Sequence, residues 1–167
     1  MRSRYIAVIV MLIPIAAHAQ LLGGNAQAPL LLHQLRWDMS KQEVLAVCSA
    51  NKAQVTERDS TITFDDTFFE VRTKTIAKFR NEPLRLRSVE LRFTEYPAGF
   101  QDSLINRITR FVGENPVKAE KEKSALIFTL RMEIALWRVG SERITLLVAK
   151  RSGSIFDSFA TIEPASK

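Results

Sequence analysis

The chain has 167 residues, 46% of them hydrophobic and 25% charged, and a net charge of +6. Such a composition belongs to an ordinary folded domain, and six Gly and six Pro without a low-complexity tract exclude a collagen-like or disordered chain. One Cys excludes an internal disulfide framework, and two His leave little for a histidine-based metal site.

The first segment has the three parts of a secretory signal. Arg2 and Arg4 give a positive start, Tyr5–Ala17 is apolar apart from the break at Pro14, and Ala17-His18-Ala19 offers small residues to a signal peptidase. The apolar run falls short of the roughly 20 residues that a bilayer span needs. Residues 1–19 are therefore expected to be removed, leaving Gln20 first, no transmembrane span, and the periplasm as the address. Residues 20–34 read as a mobile leader ahead of a single domain over 35–167.

Ser40-Lys41-Gln42-Glu43 is a capping box with Met39 and Val44 placed as its hydrophobic staple, so a short helix is expected from Lys41 to Ala50. The period then changes to two. Gln54–Glu57, Thr61–Phe64 and Phe68–Val71 read as strand pieces, with Asp65-Asp66 as a turn. From Arg72 to Arg80, Thr73, Thr75, Ala77 and Phe79 alternate with Arg72, Lys74, Lys78 and Arg80, which puts the uncharged set inward. Leu84–Tyr96 returns with Val89, Leu91 and Phe93 inside, although the parity changes between Leu86 and Val89. Asp102 is placed to cap a second helix with Leu104, Ile105, Ile108, Phe111 and Val112 on one face, closed by Gly113. Lys118–Lys123 reads as a charged linker. Ala125–Val139 reads as a long strand with Leu126, Phe128, Leu130, Met132, Ile134 and Leu136 on one side. Arg143–Lys150 and Ile155–Ile162 complete a second set. The order points to an α+β fold of two tandem units, 35–97 and 98–163. Each would be one helix plus an antiparallel meander, with the helices packed on one sheet face.

Leu35-Arg36-Trp37-Asp38-Met39-Ser40-Lys41-Gln42-Glu43-Val44 resembles the opening of BamE-like (SmpA-type) small envelope domains, whose first helix follows a Gly-Met-Ser/Thr-x-x-x-Val pattern. Asp38 stands where that pattern has Gly, and Val47-Cys48 where Leu-Gly would end the helix. Phe111-Val112-Gly113-Glu114-Asn115-Pro116 is similar to the helix-ending aromatic-x-Gly-x-x-Pro of related two-repeat proteins. Trp137 ahead of Ile144-Thr145-Leu146 is similar to their later strands. The β-lactamase-inhibitor-protein family has the same tandem plan. The resemblance implies a non-catalytic binding module and assigns no functional residue.

Catalytic, cofactor and metal residues are not expected. Cys48 falls on an apolar helix face, where a free Cys acts as a small hydrophobe. The one His of the mature chain, His33, lies in the leader, far from rigid support for a Ser–His–Asp site. Asp65-Asp66 with Glu70 offers the nearest thing to a carboxylate pair, but neighbours on a strand point to opposite faces. No Gly-rich phosphate loop, His-Glu-x-x-His or Cys-x-x-Cys is present. Trp37 and Trp137 fit the core better than an interface. The distinctive cluster is basic: Arg72, Lys74, Lys78, Arg80, Arg85, Arg87 and Arg92, against Glu82 and Glu90. It is the candidate partner-binding face of an exported, non-enzymatic module whose partner is another envelope protein, with acidic character as the natural complement. Export and the lack of interleaved aromatics exclude nucleic acid. The alternatives are a polyanion such as lipopolysaccharide on that face, or a cell-wall hydrolase using the acids of Asp59–Glu70.

Overall fold

The structure, a computed structural model, describes residues 34–125 and 128–165. The signal segment and all of the leader before Gln34 lie outside the described residues. Helix α1 (Lys41–Ala50) begins where the capping box puts it. Ser40 Oγ accepts from the Glu43 N–H at 3.3 Å, and the Glu43 carboxylate accepts from the Ser40 N–H at 2.7 Å. Four strands follow: β1 (Val55–Arg58), β2 (Thr61–Phe68), β3 (Val71–Arg80) and β4 (Arg85–Phe93). Helix α2 (Phe100–Val112) then leads into β5 (Val117–Ala125), β6 (Phe128–Val139), β7 (Glu142–Arg151) and β8 (Ser154–Pro164).

All eight strands join in one antiparallel sheet, ordered β1-β2-β3-β4-β8-β7-β6-β5. This overturns the expected α+β fold of two helix-plus-meander units. The chain is predominantly β, with only two short helices of 10 and 13 residues among the described residues. The joint is the β4–β8 pairing, Val89 opposite Ile162 and Leu91 opposite Ala160. Both strands carry small or apolar residues at matching parity, so one row of core side chains crosses the seam: Ile62, Ala77, Val89, Ile162, Ile144 and Trp137. Val44 and Cys48 of α1 and Leu104, Ile105 and Ile108 of α2 pack on that face and close a single core.

Several local expectations are corrected. Asp65-Asp66 is not a turn. β2 runs through it, with Asp65 opposite Lys74, and the reversal comes at Phe69-Glu70, both at positive φ (48° and 66°). Asp102 does not cap α2. Phe100 starts the helix with Gly99 as left-handed N-cap, because the Phe100 ring is buried edge-on against Phe93 and Tyr96 (centroids 5.2 and 5.3 Å). The linker Lys118–Lys123 is instead edge strand β5, whose charges are tolerated because solvent reaches the strand. The long strand expected from Ala125 begins at Phe128, and Ala125 belongs to β5, where it pairs with Phe128; Leu126 lies outside the described residues. The parity change in β4 is a bulge: Lys78 faces Ser88 and Phe79 faces Leu86, leaving Arg87 as the extra residue.

Candidate functional site

The sheet has two faces, and among the described residues only one carries helices. On the open face, one row runs across seven strands: Asp65, Lys74, Arg92, Phe159, Leu147, Ile134 and Ala119. The adjoining row holds Thr63, Ile76, Glu90, Thr161, Thr145, Leu136 and Val117. The face is thus divided. Strands β2–β4 supply charge, and β6–β8 supply Met132, Ile134, Leu136, Leu147 and Phe159, all half-buried. At the boundary the Arg92 guanidinium lies 6.0 Å from the Phe159 ring centroid.

The seven basic residues read from the sequence do not stay together. Arg72, Lys74, Lys78, Arg80 and Arg92 occupy the open side of β3 and β4. Arg85 and Arg87, at the bulge, turn toward the start of α1. Arg85 donates to the Asp38 carbonyl at 3.3 Å and Arg87 pairs with the Asp38 carboxylate at 2.9 Å. Of those on the face, four meet acids: Arg72 with Glu95 (3.7 Å), Lys74 with Asp65 (3.3 Å), and both Lys78 and Arg92 with Glu90. Glu90 is only 6% exposed beneath its two cations. Burial pushes its carboxyl up, but hydrogen bonds from Lys78 and Arg92 outweigh burial and hold it below the usual carboxylate range. Arg80 stands at the far end of β3, opposite Arg85.

A second acid hub sits on the helix-bearing side. Glu133 accepts from Gln101 of α2 and from Lys150 at 2.8 Å, with Arg131 at 3.3 Å. Burial raises its carboxyl less than those donors lower it. Two clefts adjoin it: one between α2 and β5–β6 of about 130 Å³, below the roughly 300–1,000 Å³ of ordinary ligand pockets, and an open one of about 380 Å³ beside Arg131, Lys150 and Gly153. The carboxylates of the hydrolase alternative do not converge, since Asp65 and Asp66 take opposite faces and Glu70 pairs with Arg107 at 2.7 Å. Cys48 is 0% exposed, and burial pushes its thiol up. Trp137 is core, donating to Thr109 Oγ1 at 3.2 Å. Among the described residues no group of three His, Cys, Asp or Glu is placed to hold a metal ion. No helix there is long and apolar enough to cross a membrane.

The apolar half of the open face is what the sequence reading missed. Its signal was present: in Arg143–Lys150 both parities are largely apolar or neutral, so one set had to face away from α2. No family model, curated protein or solved structure matches the chain.

Proposed function

We propose that the mature chain is an exported, non-enzymatic binding module that engages a protein partner in the periplasm through the open face of its sheet. The observation that carries this reading is the contiguous apolar row Phe159–Leu147–Ile134 continuing into Arg92 and Lys74. An apolar centre flanked by polar and charged groups is the usual anatomy of a protein interface. The Lys and Arg of β3 and β4 then act as rim, setting orientation and association rate. The polyanion alternative is weaker, because Asp65, Glu90 and Glu95 already neutralise most of that rim. Export rests on the tripartite segment before Gln20.

The test places a photo-crosslinking residue at Leu147, or at the exposed Asn106 of α2 as control, in the full chain expressed in its native envelope. The expected result is one recurring protein adduct from position 147, absent from 106 and lost with Ile134→Lys. Equal adducts from both positions, or none from 147, overturn the assignment. Retention on lipopolysaccharide that persists in Ile134→Lys and collapses with moderate salt would favour the polyanion instead.

A further inference from the structure

The sheet ends in two unlike edges. β1 is four residues long, and Lys41 Nζ reaches over its end to the carbonyls of Arg58 (2.7 Å) and Asp59 (3.1 Å). β5 is nine residues long, pairs with β6 in unbroken register, and closes the other end of the strand order. Residues 117–122 are all exposed, Val117 to 71%. Such an edge offers a row of backbone donors and acceptors to any incoming strand. Charged side chains are the common guard, but here the signs alternate. Lys118, Glu120 and Glu122 share the helix-bearing face, while Val117, Ala119 and Lys121 share the open one.

We propose that β5 is a self-association edge, at which two copies of this chain pair antiparallel about Ala119 through two Lys118–Glu120 ion pairs. A two-fold axis perpendicular to the sheet keeps both helix-bearing faces on one side, so each residue opposes one of its own parity. Within that constraint the charges select the register. Centring on Lys121 aligns the whole strand but sets Glu120 against Glu122 and Lys121 against itself. Centring on Glu120 or on Lys118 makes that charge face its own copy. Centring on Ala119 faces Lys118 with Glu120 twice, lays the Lys121 stem beside exposed Val117, and opposes no like charges. Centring on Glu122 or Lys123 likewise makes a charge face its own copy, so among registers that overlap five or more residues of β5 only the one about Ala119 opposes no like charges.

The helices permit this. α2 contacts the sheet at β6, so the two copies of α2 stand three strand spacings apart, about 14 Å at about 4.8 Å each. That exceeds the roughly 8–10 Å of packed helices. Arg131, already 2.8 Å from Glu120, does not exclude Lys118 of the second copy, because a carboxylate accepts several donors.

Sedimentation equilibrium of the purified full chain over a range of concentrations tests the pairing. The unmodified chain should show a monomer–dimer equilibrium. Lys118→Glu and Glu120→Lys should each weaken it about tenfold, since two attractive cross-strand pairs become repulsive. An equimolar mixture of the two variants should regain dimerisation, because positions 118 and 120 are then both acidic in one copy and both basic in the other. Circular dichroism verifies the fold, and Lys118→Glu leaves the Arg131–Glu120 pair intact. A chain that stays monomeric, a dimer indifferent to both variants, or a mixture that fails to recover overturns the proposal.

Discussion

Trp37 Nε1 donates a 2.9 Å hydrogen bond to the carboxylate of Glu142, 105 residues further along the chain. Glu142 opens β7 and is 2% exposed, whereas Trp37 belongs to the short stretch before α1. The bond therefore ties the first helix to the second half of the sheet. That stretch also bridges to the start of β4: the Leu86 N–H donates to the Met39 carbonyl at 2.8 Å, and the Asp38 N–H to the Leu86 carbonyl at 3.3 Å. Trp37→Phe keeps most of the ring and removes the donor from a buried carboxylate. The expected loss is about 1–3 kcal/mol in denaturant unfolding. Glu142→Gln, which keeps an acceptor, should lose less.

The capping box makes a separate local prediction. Ser40→Ala exposes an unpaired helix N–H and should cost about 1 kcal/mol. It should also release Glu43, whose carboxyl is held below its usual range by the Ser40 side chain and then by the Ser40 backbone N–H. An NMR titration should show the Glu43 pKa rising in the variant. An unchanged pKa would mean that the box does not persist in solution.

Glu90 links stability to pH. Its folded carboxyl titrates below its ordinary value, so its contribution is complete above about pH 4.3, the unfolded value, and is lost as pH falls through the depressed folded value. Glu90→Gln should flatten that acid limb and cost about 1–2 kcal/mol at neutral pH, a figure reduced because Lys78 and Arg92 are partly exposed. The two neighbouring lysines should part company. Lys74→Glu alters an exposed pair with Asp65 and should leave the thermal midpoint within about a degree or two. Lys78→Glu sets a second carboxylate beside buried Glu90 and should lower it clearly. Equal midpoints for the two variants would contradict the hub.

What the sequence made legible was what local chemistry decides. α1 was readable from Ser40 to Ala50 because its capping and staple residues are close neighbours in the chain. The inward set Thr73, Thr75, Ala77 and Phe79 was readable from parity, and the lost parity after Leu86 marked the Arg87 bulge. The reversal at Phe69-Glu70 escaped because neither residue is a usual turn former. Arg107 of α2 holds it from a distance, bonding the Phe69 carbonyl and the Glu70 carboxylate. The β4–β8 pairing escaped for the same reason, since strands far apart in the chain meet by matching faces that no short window contains. Of the seven basic residues, parity identified those on the open face. It could not foresee that Asp65, Glu90 and Glu95 would neutralise four of them, nor that Arg85 and Arg87 would turn to Asp38.

Cys48 provides the last prediction. Its thiol is fully buried on α1, where loss of hydration raises its pKa, with the charge of Asp66 adding to the effect. Both influences disfavour the thiolate, which is the reactive form. Alkylation of the folded chain should therefore be slow and should accelerate to the rate of a free thiol only in denaturant, tracking global unfolding. Cys48→Ser buries a hydroxyl in place of sulfur and should cost about 1–3 kcal/mol. Cys48→Ala, which buries no polar atom, should be limited to a small cavity cost of about 1 kcal/mol. Fast alkylation under native conditions would mean that α1 opens locally and exposes the core beneath it. Because Lys41 also ties this helix to Glu57 and to the β1–β2 turn, such opening should be faster in Lys41→Ala, and comparing the two rates separates local from global exposure.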